Sequence, residues 1–345
     1  MRHFSGVLLI FSIFTSSNEM ERVDLLHDNE NRHYLKFIPE NYNSDRPINL
    51  VIGLHGYTGS ASGFEKETTG GFNKSASKYN FIAAYPQGLY FYEESHYQGQ
   101  MISSYVSSWN DLTGSKTTTP DGETCALDAV VYPKYPNCQN TDSGRCAWTS
   151  CGDDLGLIIK VINHIKDNYN INKVYIVGMS NGGKIAHALA CEYPDIIEGV
   201  LNVVGSPHLG LGCNPKAPIN YIIYAGLKDN VVPPFRIVSN DKYYYTPMTT
   251  IVNNWKKSFS CKDRKTKKIL NPDNIEENIY SNCSKNVKII SLLNTDRGHT
   301  WPGTNYENAG FCRSDKQSEI NNIAVCKNYD NEWGNDFLLT RLLDL

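Results

Sequence analysis

Short apolar runs alternate with amphipathic stretches along most of this chain. Runs at 34–38, 49–54, 81–85, 174–178, 199–204, 219–224 and 287–293 have the length of β-strands. Several of the later runs are apolar without interruption, as strands covered on both faces must be. Between them, the stretch 153–169 sets Leu155, Ile158, Ile162, Ile165 and Tyr169 on one helical face at three- and four-residue steps. Asp153 and Asp154 open that stretch, where carboxylates complement the positive end of the helix dipole. Helices are also predicted over 181–193, 246–259 and 336–343. Strand–helix alternation of this kind predicts an α/β fold, with a mostly parallel sheet and helices on both faces.

Two stretches break the rhythm. Residues 88–150 are polar, rich in Tyr, Gly, Ser and Thr, carry three cysteines and show no strong periodicity. A loop of that length inside a domain calls for a function or a restraint. It reads as an insertion over the top of the sheet, about 89–150, pinned by disulfides. The aromatic series Tyr90, Phe91, Tyr92, Tyr97, Tyr105 and Trp109 either packs within this insertion or offers rings for stacking on a sugar or a phenolic group. Residues 262–284 read as a second polar insertion, and the lysines and arginine from Lys256 to Lys268 as a solvated face.

The chain has 345 residues, 40% hydrophobic and 20% charged, enough to bury a core. The net charge of −3 gives no electrostatic reason to expect nucleic acid or an anionic membrane as partner. At the N-terminus, Arg2 and His3 precede an apolar run at 6–14, and Thr15, Ser16 and Ser17 supply small residues for cleavage. That order predicts a signal peptide over 1–17, a catalytic domain over 18–345 and an extracellular location. The apolar run is shorter than the ~20 residues that span a bilayer. Ten cysteines agree with an oxidising compartment. Their pairing does not follow from sequence, and Cys191, inside a helix pattern, reads equally as a buried thiol. Asn73 and Asn282 begin glycosylation sequons.

The motif that carries chemistry is Gly178-Met179-Ser180-Asn181-Gly182, placed after an apolar strand and at the start of a helix. That context is the one a nucleophile elbow needs, with the serine on a sharp strand-to-helix turn and small residues around it. Such a serine needs a base, and the base needs an orienting acid, following it in that chain order as acid and then histidine. His299, in a loop after the run at 287–293, is the expected base. His208 lies too close to the serine's own strand pair to leave room for an acid on an intervening strand end. Asp229, at the end of the run at 219–224, is the favoured acid. Asp296 is its rival, but three residues from His299 it is placed to cap a turn. The oxyanion hole is assigned to the backbone N–H groups of Tyr57, after the run at 49–54, and Asn181. His55 reads as a structural residue holding that loop. No H-E-x-x-H motif or carboxylate cluster supports a metal hydrolase, and no cofactor is expected.

Taken together, Leu54-His55-Gly56-Tyr57-Thr58-Gly59, Trp109-Asn110, Asp153-Asp154-Leu155-Gly156, the elbow through Gly183, Asp229-Asn230-Val231-Val232-Pro233 and Gly298-His299-Thr300-Trp301-Pro302-Gly303 resemble the poly(3-hydroxybutyrate) depolymerase and feruloyl esterase group of α/β-hydrolases. The resemblance spans about residues 50–303. It implies an α/β-hydrolase fold, a Ser180–Asp229–His299 triad, and Trp301 lining the cleft; Trp109, from the aromatic series above, is a further expected substrate contact. It also implies a substrate that is a feruloyl, acetyl or hydroxyalkanoate ester, small or attached to a polymer. Two other classes remain: a serine peptidase on the same fold, and a binding protein on an inactive hydrolase fold. Oligomeric state does not follow from the sequence.

Overall fold

Two apolar layers sandwich one large sheet, and the period of two along each strand assigns side chains to one layer or the other. The computed structural model describes residues 20–68, 71–97, 100–115, 119, 121–138, 146, 148–304 and 332–344. In strand β3 (Ile48–Leu54), Leu50, Ile52 and Leu54 enter one core while Val51 enters the other. In β4 (Phe81–Pro86), Ile82 and Ala84 oppose Phe81, Ala83 and Tyr85 in the same way. Strand β7 (Ile171–Met179) divides Val174 and Ile176 from Tyr175 and Val177. Both faces are dry, so the strands read as unbroken apolar runs.

The sheet has ten strands, in the order β1-β2-β4-β3-β7-β8-β9-β12-β11-β10. Its centre runs parallel through β4, β3, β7, β8 (Gly199–Val203), β9 (Asn220–Gly226) and β12 (Ile289–Asn294). Antiparallel hairpins extend both edges. On one side, β1 (Glu21–His27) and β2 (Glu30–Phe37) join through Asp28 and Asn29, both with positive φ, the two-residue turn whose twist suits a hairpin. On the other side, β11 (Ile275–Ser281) and β10 (Asp263–Ile269) follow β12 outward.

Helices α3 (Asp154–Asn168), α4 (Asn181–Glu192) and α5 (Met248–Ser258) cover one face. Helices α1 (Ala61–Glu67), α2 (Phe72–Tyr79) and α6 (Trp333–Leu343) cover the other. Among the described residues, no helix is long and apolar enough to cross a membrane.

Every strand and helix expected from periodicity is present within a few residues. The stretch 262–284 is a correction: it forms the hairpin β10–β11, an extension of the sheet and not a loop insertion. Its lysines sit on the exposed edge strand, where charge discourages strand-to-strand association. The stretch after β4 opens with a second hairpin, β5 (Leu89–Tyr97) and β6 (Gln100–Ser108). Four disulfides join Cys125–Cys146, Cys138–Cys151, Cys191–Cys213 and Cys261–Cys283. Cys191 is therefore bonded, not a buried thiol. Cys312 and Cys326, like the expected signal segment at 1–17, lie outside the described residues. At the two sequons, the Asn73 amide is buried in α2 and accepts a hydrogen bond from the Tyr85 hydroxyl at 2.7 Å, whereas Asn282 is exposed.

Candidate active site

Ser180 stands between β7 and α4 with φ 55° and ψ −116°, a strained backbone for a residue with a side chain. The surroundings enforce it. A Cβ at Gly178 would lie 2.1 Å from the Gly182 carbonyl, and one at Gly182 would lie 2.1 Å from the Leu54 carbonyl. The elbow therefore packs tightly against itself and against the end of β3. The Ser180 N–H donates to the Val203 carbonyl of β8 at 2.8 Å, which holds the turn in the plane of the sheet.

Loops from two neighbouring parallel strands meet this serine. The Oγ of Ser180 is 2.8 Å from Nε2 of His299, and Nδ1 of His299 is 2.7 Å from Oδ2 of Asp229. The other oxygen, Oδ1 of Asp229, accepts from the N–H groups of Val231 and Val232 at 2.8 Å each. Those bonds aim the carboxylate at the imidazole. The loops after β9 and β12 are fastened together: Lys228 N–H donates to the Arg297 carbonyl at 2.9 Å, and a Cβ at Gly226 would meet the Gly298 carbonyl at 2.2 Å. Arg297 is itself anchored by an ion pair with the buried Asp273 at 2.9 Å. Asp296 turns away from this network. It is partly exposed and accepts from both the backbone and side-chain nitrogens of Asn274, bonds that hold its carboxyl below the usual range.

The loop after β3 is rigid. His55 is fully buried; its Nδ1–H donates to the Gly56 carbonyl at 2.8 Å and its Nε2 accepts from the Gly88 N–H at 3.0 Å. Burial pushes this ring down to about 4, so it stays neutral at physiological pH. The Thr58 N–H is bonded to the Ser107 carbonyl at 2.7 Å, and that of Gly59 to the Gly56 carbonyl at 3.0 Å. The ring of Tyr57 packs edge-on against Tyr132 and Trp148. Asn181 begins α4, and its side-chain oxygen accepts from the Trp109 N–H at 2.6 Å.

Both tryptophans expected at the cleft are core residues instead. Trp109 is 0% exposed, and its Nε1 donates to the His55 carbonyl at 2.8 Å. Trp301 is 1% exposed, its Nε1 donates to Oδ1 of Asn335 at 2.9 Å, and its ring stands edge-on to Phe64. Trp109 ties the loop after β3 to the start of α4, and Trp301 anchors the loop that carries His299 to α6.

Sequence reasoning missed a buried charge beside the elbow. Lys184, one turn beyond Ser180, is buried with its Nζ 4.2 Å from the Trp148 ring centroid and 4.3 Å from that of Tyr245. Its Nζ lies 3.3 Å from Nε2 of His208 and 3.9 Å from Oδ2 of Asp111. Burial lowers this lysine to about 8, opposed by the Asp111 charge. His208 is buried with it, and burial and the facing lysine push it far below the normal histidine range. A charge on the inward face of a helix was the available signal.

No protein-family model matches the chain. In the solved structures, an acetyl xylan esterase from Aspergillus awamori superposes with a TM-score of 0.52 at 16% identity, covering 82% of this chain and 95% of that one. The chain has the α/β-hydrolase fold. By sequence it is similar to feruloyl esterase B of Neurospora crassa, 31% identical over 85 residues, which is 23% of this chain and 29% of that protein. It is similar to poly(3-hydroxyalkanoate) depolymerase C of Paucimonas lemoignei, 30% identical over 88 residues, 23% of this chain and 21% of that protein. A probable feruloyl esterase C of Aspergillus flavus aligns over 215 residues at 24% identity, 61% of this chain and 60% of that protein. The alignments thus span from about a fifth to three fifths of these relatives' length, and their names fall in the group that the motifs resemble.

Proposed function

We propose that this α/β-hydrolase is a secreted serine carboxylic ester hydrolase. The observation that carries the reading is the unbroken hydrogen-bonded series Ser180–His299–Asp229 on three strand ends. Ser180 Oγ attacks the ester carbonyl as His299 Nε2 takes its proton. Asp229 keeps Nδ1 protonated and stabilises the imidazolium that forms. The tetrahedral oxyanion is received by the N–H groups of Tyr57 and Asn181. In the loop after β3, the Thr58 and Gly59 N–H groups are already committed to carbonyls, which supports an earlier N–H of this loop, that of Tyr57, as the donor. His299 then protonates the departing alcohol, and water activated by the same ring releases the acyl group.

The relatives' names support a substrate class of feruloyl, acetyl or hydroxyalkanoate esters, small or carried on a polymer. Secretion is supported by the order of residues 1–17 and by four disulfides among the described cysteines. The test is a panel of methyl ferulate, acetylated xylan, hydroxybutyrate oligomers, short p-nitrophenyl esters and a peptide amide. Turnover of one or more esters with none of the amide supports the reading; amide cleavage alone overturns it.

A further inference from the structure

Hairpin β5–β6 has two faces of different character. Pairing sets Phe91 opposite Val106, and both pack inward with Tyr135 and the Cys138–Cys151 bridge. Pairing also sets Tyr92 opposite Tyr105 and Tyr90 opposite Ser107, on the other face. There the three tyrosine rings cluster, with Tyr105 5.4 Å from Tyr90 and 5.5 Å from Tyr92 by ring centroids. They line a cavity of about 250 Å³ whose far wall carries Ser62, Gln87 and Arg22. Tyr105 is its buried floor and Tyr90, 47% exposed, its rim.

The chemistry of the walls selects a ligand. Flat rings offer apolar faces, and the hydroxyls of Ser62 and of the exposed Tyr90 offer donors and acceptors. Among the described lining residues the charges are compensated: the Arg22 guanidinium is paired with Asp24 at 2.8 Å, and burial holds the neighbouring His33 neutral down to about 4. The volume lies just under the ~300–1,000 Å³ of ordinary small-molecule sites, room for one or two sugar rings. Position adds a reason for it to exist. Gln87 Nε2 reaches the Tyr105 hydroxyl at 3.2 Å and His55 Nε2 at 3.2 Å, while Ser107 of the same hairpin holds both Thr58 and Gly59. The cavity and the loop after β3 therefore share one wall, where Ser60, Ala61 and Gln87 follow the ends of β3 and β4.

We propose that this tyrosine-lined cavity is a subsite for a neutral pyranose unit of the glycan that bears the ester. It gives purpose to the ester-hydrolase reading and rests on it for the ester, but the binding itself does not involve Ser180. The experiment titrates the full chain with unesterified xylotetraose and cellotetraose, followed by calorimetry and saturation-transfer NMR. Saturable binding of about millimolar affinity is expected, weakened about three- to tenfold by Tyr90→Ala or Tyr92→Ala and retained by Tyr92→Phe, which keeps the ring. Thermal unfolding of each variant checks that the fold persists. Absence of saturable binding by either oligosaccharide, or binding unchanged in both alanine variants, overturns the proposal. A chain that binds the sugar yet hydrolyses no ester contradicts the catalytic reading alone.

Discussion

Nδ1 of His299 lies 2.7 Å from Oδ2 of Asp229, whereas Asp296, three residues before the histidine, spends its carboxylate on Asn274. Chain proximity and spatial proximity point to different acids here. Asp229→Asn should lower kcat on a p-nitrophenyl ester by about 10⁴-fold, because the amide no longer holds the productive tautomer. Asp296→Asn should leave kcat within about twofold, since its role is to hold the loop before β11. Steady-state kinetics on the two purified variants checks this; a larger loss in the Asp296 variant would reverse the assignment.

Trp301 is braced by Asn335 and Phe64, so its substitution should act on stability and not on substrate contact. Trp301→Phe should cost about 1–3 kcal/mol of unfolding free energy, from a lost buried hydrogen bond and a partly emptied site. KM for methyl ferulate should change little. Urea unfolding beside kinetics separates the two: an unchanged midpoint with a many-fold rise in KM would restore Trp301 to the cleft wall.

Lys184 and Asp111 are both buried, and Oδ2 of Asp111 makes no hydrogen bond. Removing the cation alone strands the carboxylate. Lys184→Met should destabilise the chain by about 3–5 kcal/mol, and adding Asp111→Asn should recover part of that loss. Denaturant midpoints of the single and double variants test the coupling; strictly additive costs would contradict it.

His187 is buried against Trp255, with Nδ1 2.9 Å from the Tyr221 hydroxyl and Nε2 without a partner. Burial lowers it from 6.5 to about 3. The unfolded chain therefore binds a proton that the folded chain refuses between those two values. Stability contributed by the neutral ring is complete above pH 6.5 and declines as pH falls towards 3, by about 1.4 kcal/mol per unit. His187→Asn, which keeps a polar atom near Nδ1, should flatten the dependence of unfolding free energy on pH across that window by about one proton. An unchanged slope would mean that the ring is protonated in the fold.

The parallel centre of the sheet was legible because burial on two faces leaves continuous apolar runs, as in Val174–Val177's stretch before the elbow. The elbow was legible because its strand, serine, glycines and helix lie consecutively in the chain, although the demand on Gly182 comes from the distant Leu54 carbonyl. The hairpin β10–β11 was not: β10 is almost wholly exposed, and the buried Glu277 of β11 finds its partner in Arg341, far along the chain, at 2.6 Å. Trp301 and Trp109 misled for a related reason. A tryptophan in a motif marks a packed position as readily as a binding wall, and the partners that decide, Asn335 and the His55 carbonyl, are distant in sequence. The disulfide partners of Cys125 and Cys138 were equally beyond reach of spacing alone.

The central claim is that Ser180 is the nucleophile, and it is tested by Ser180→Ala. The purified variant is assayed on p-nitrophenyl acetate, with circular dichroism to confirm an unchanged fold. Hydrolysis should fall by about 10⁴-fold or more with the spectrum intact. Turnover close to that of the unsubstituted chain, from a variant that is folded, would contradict the account.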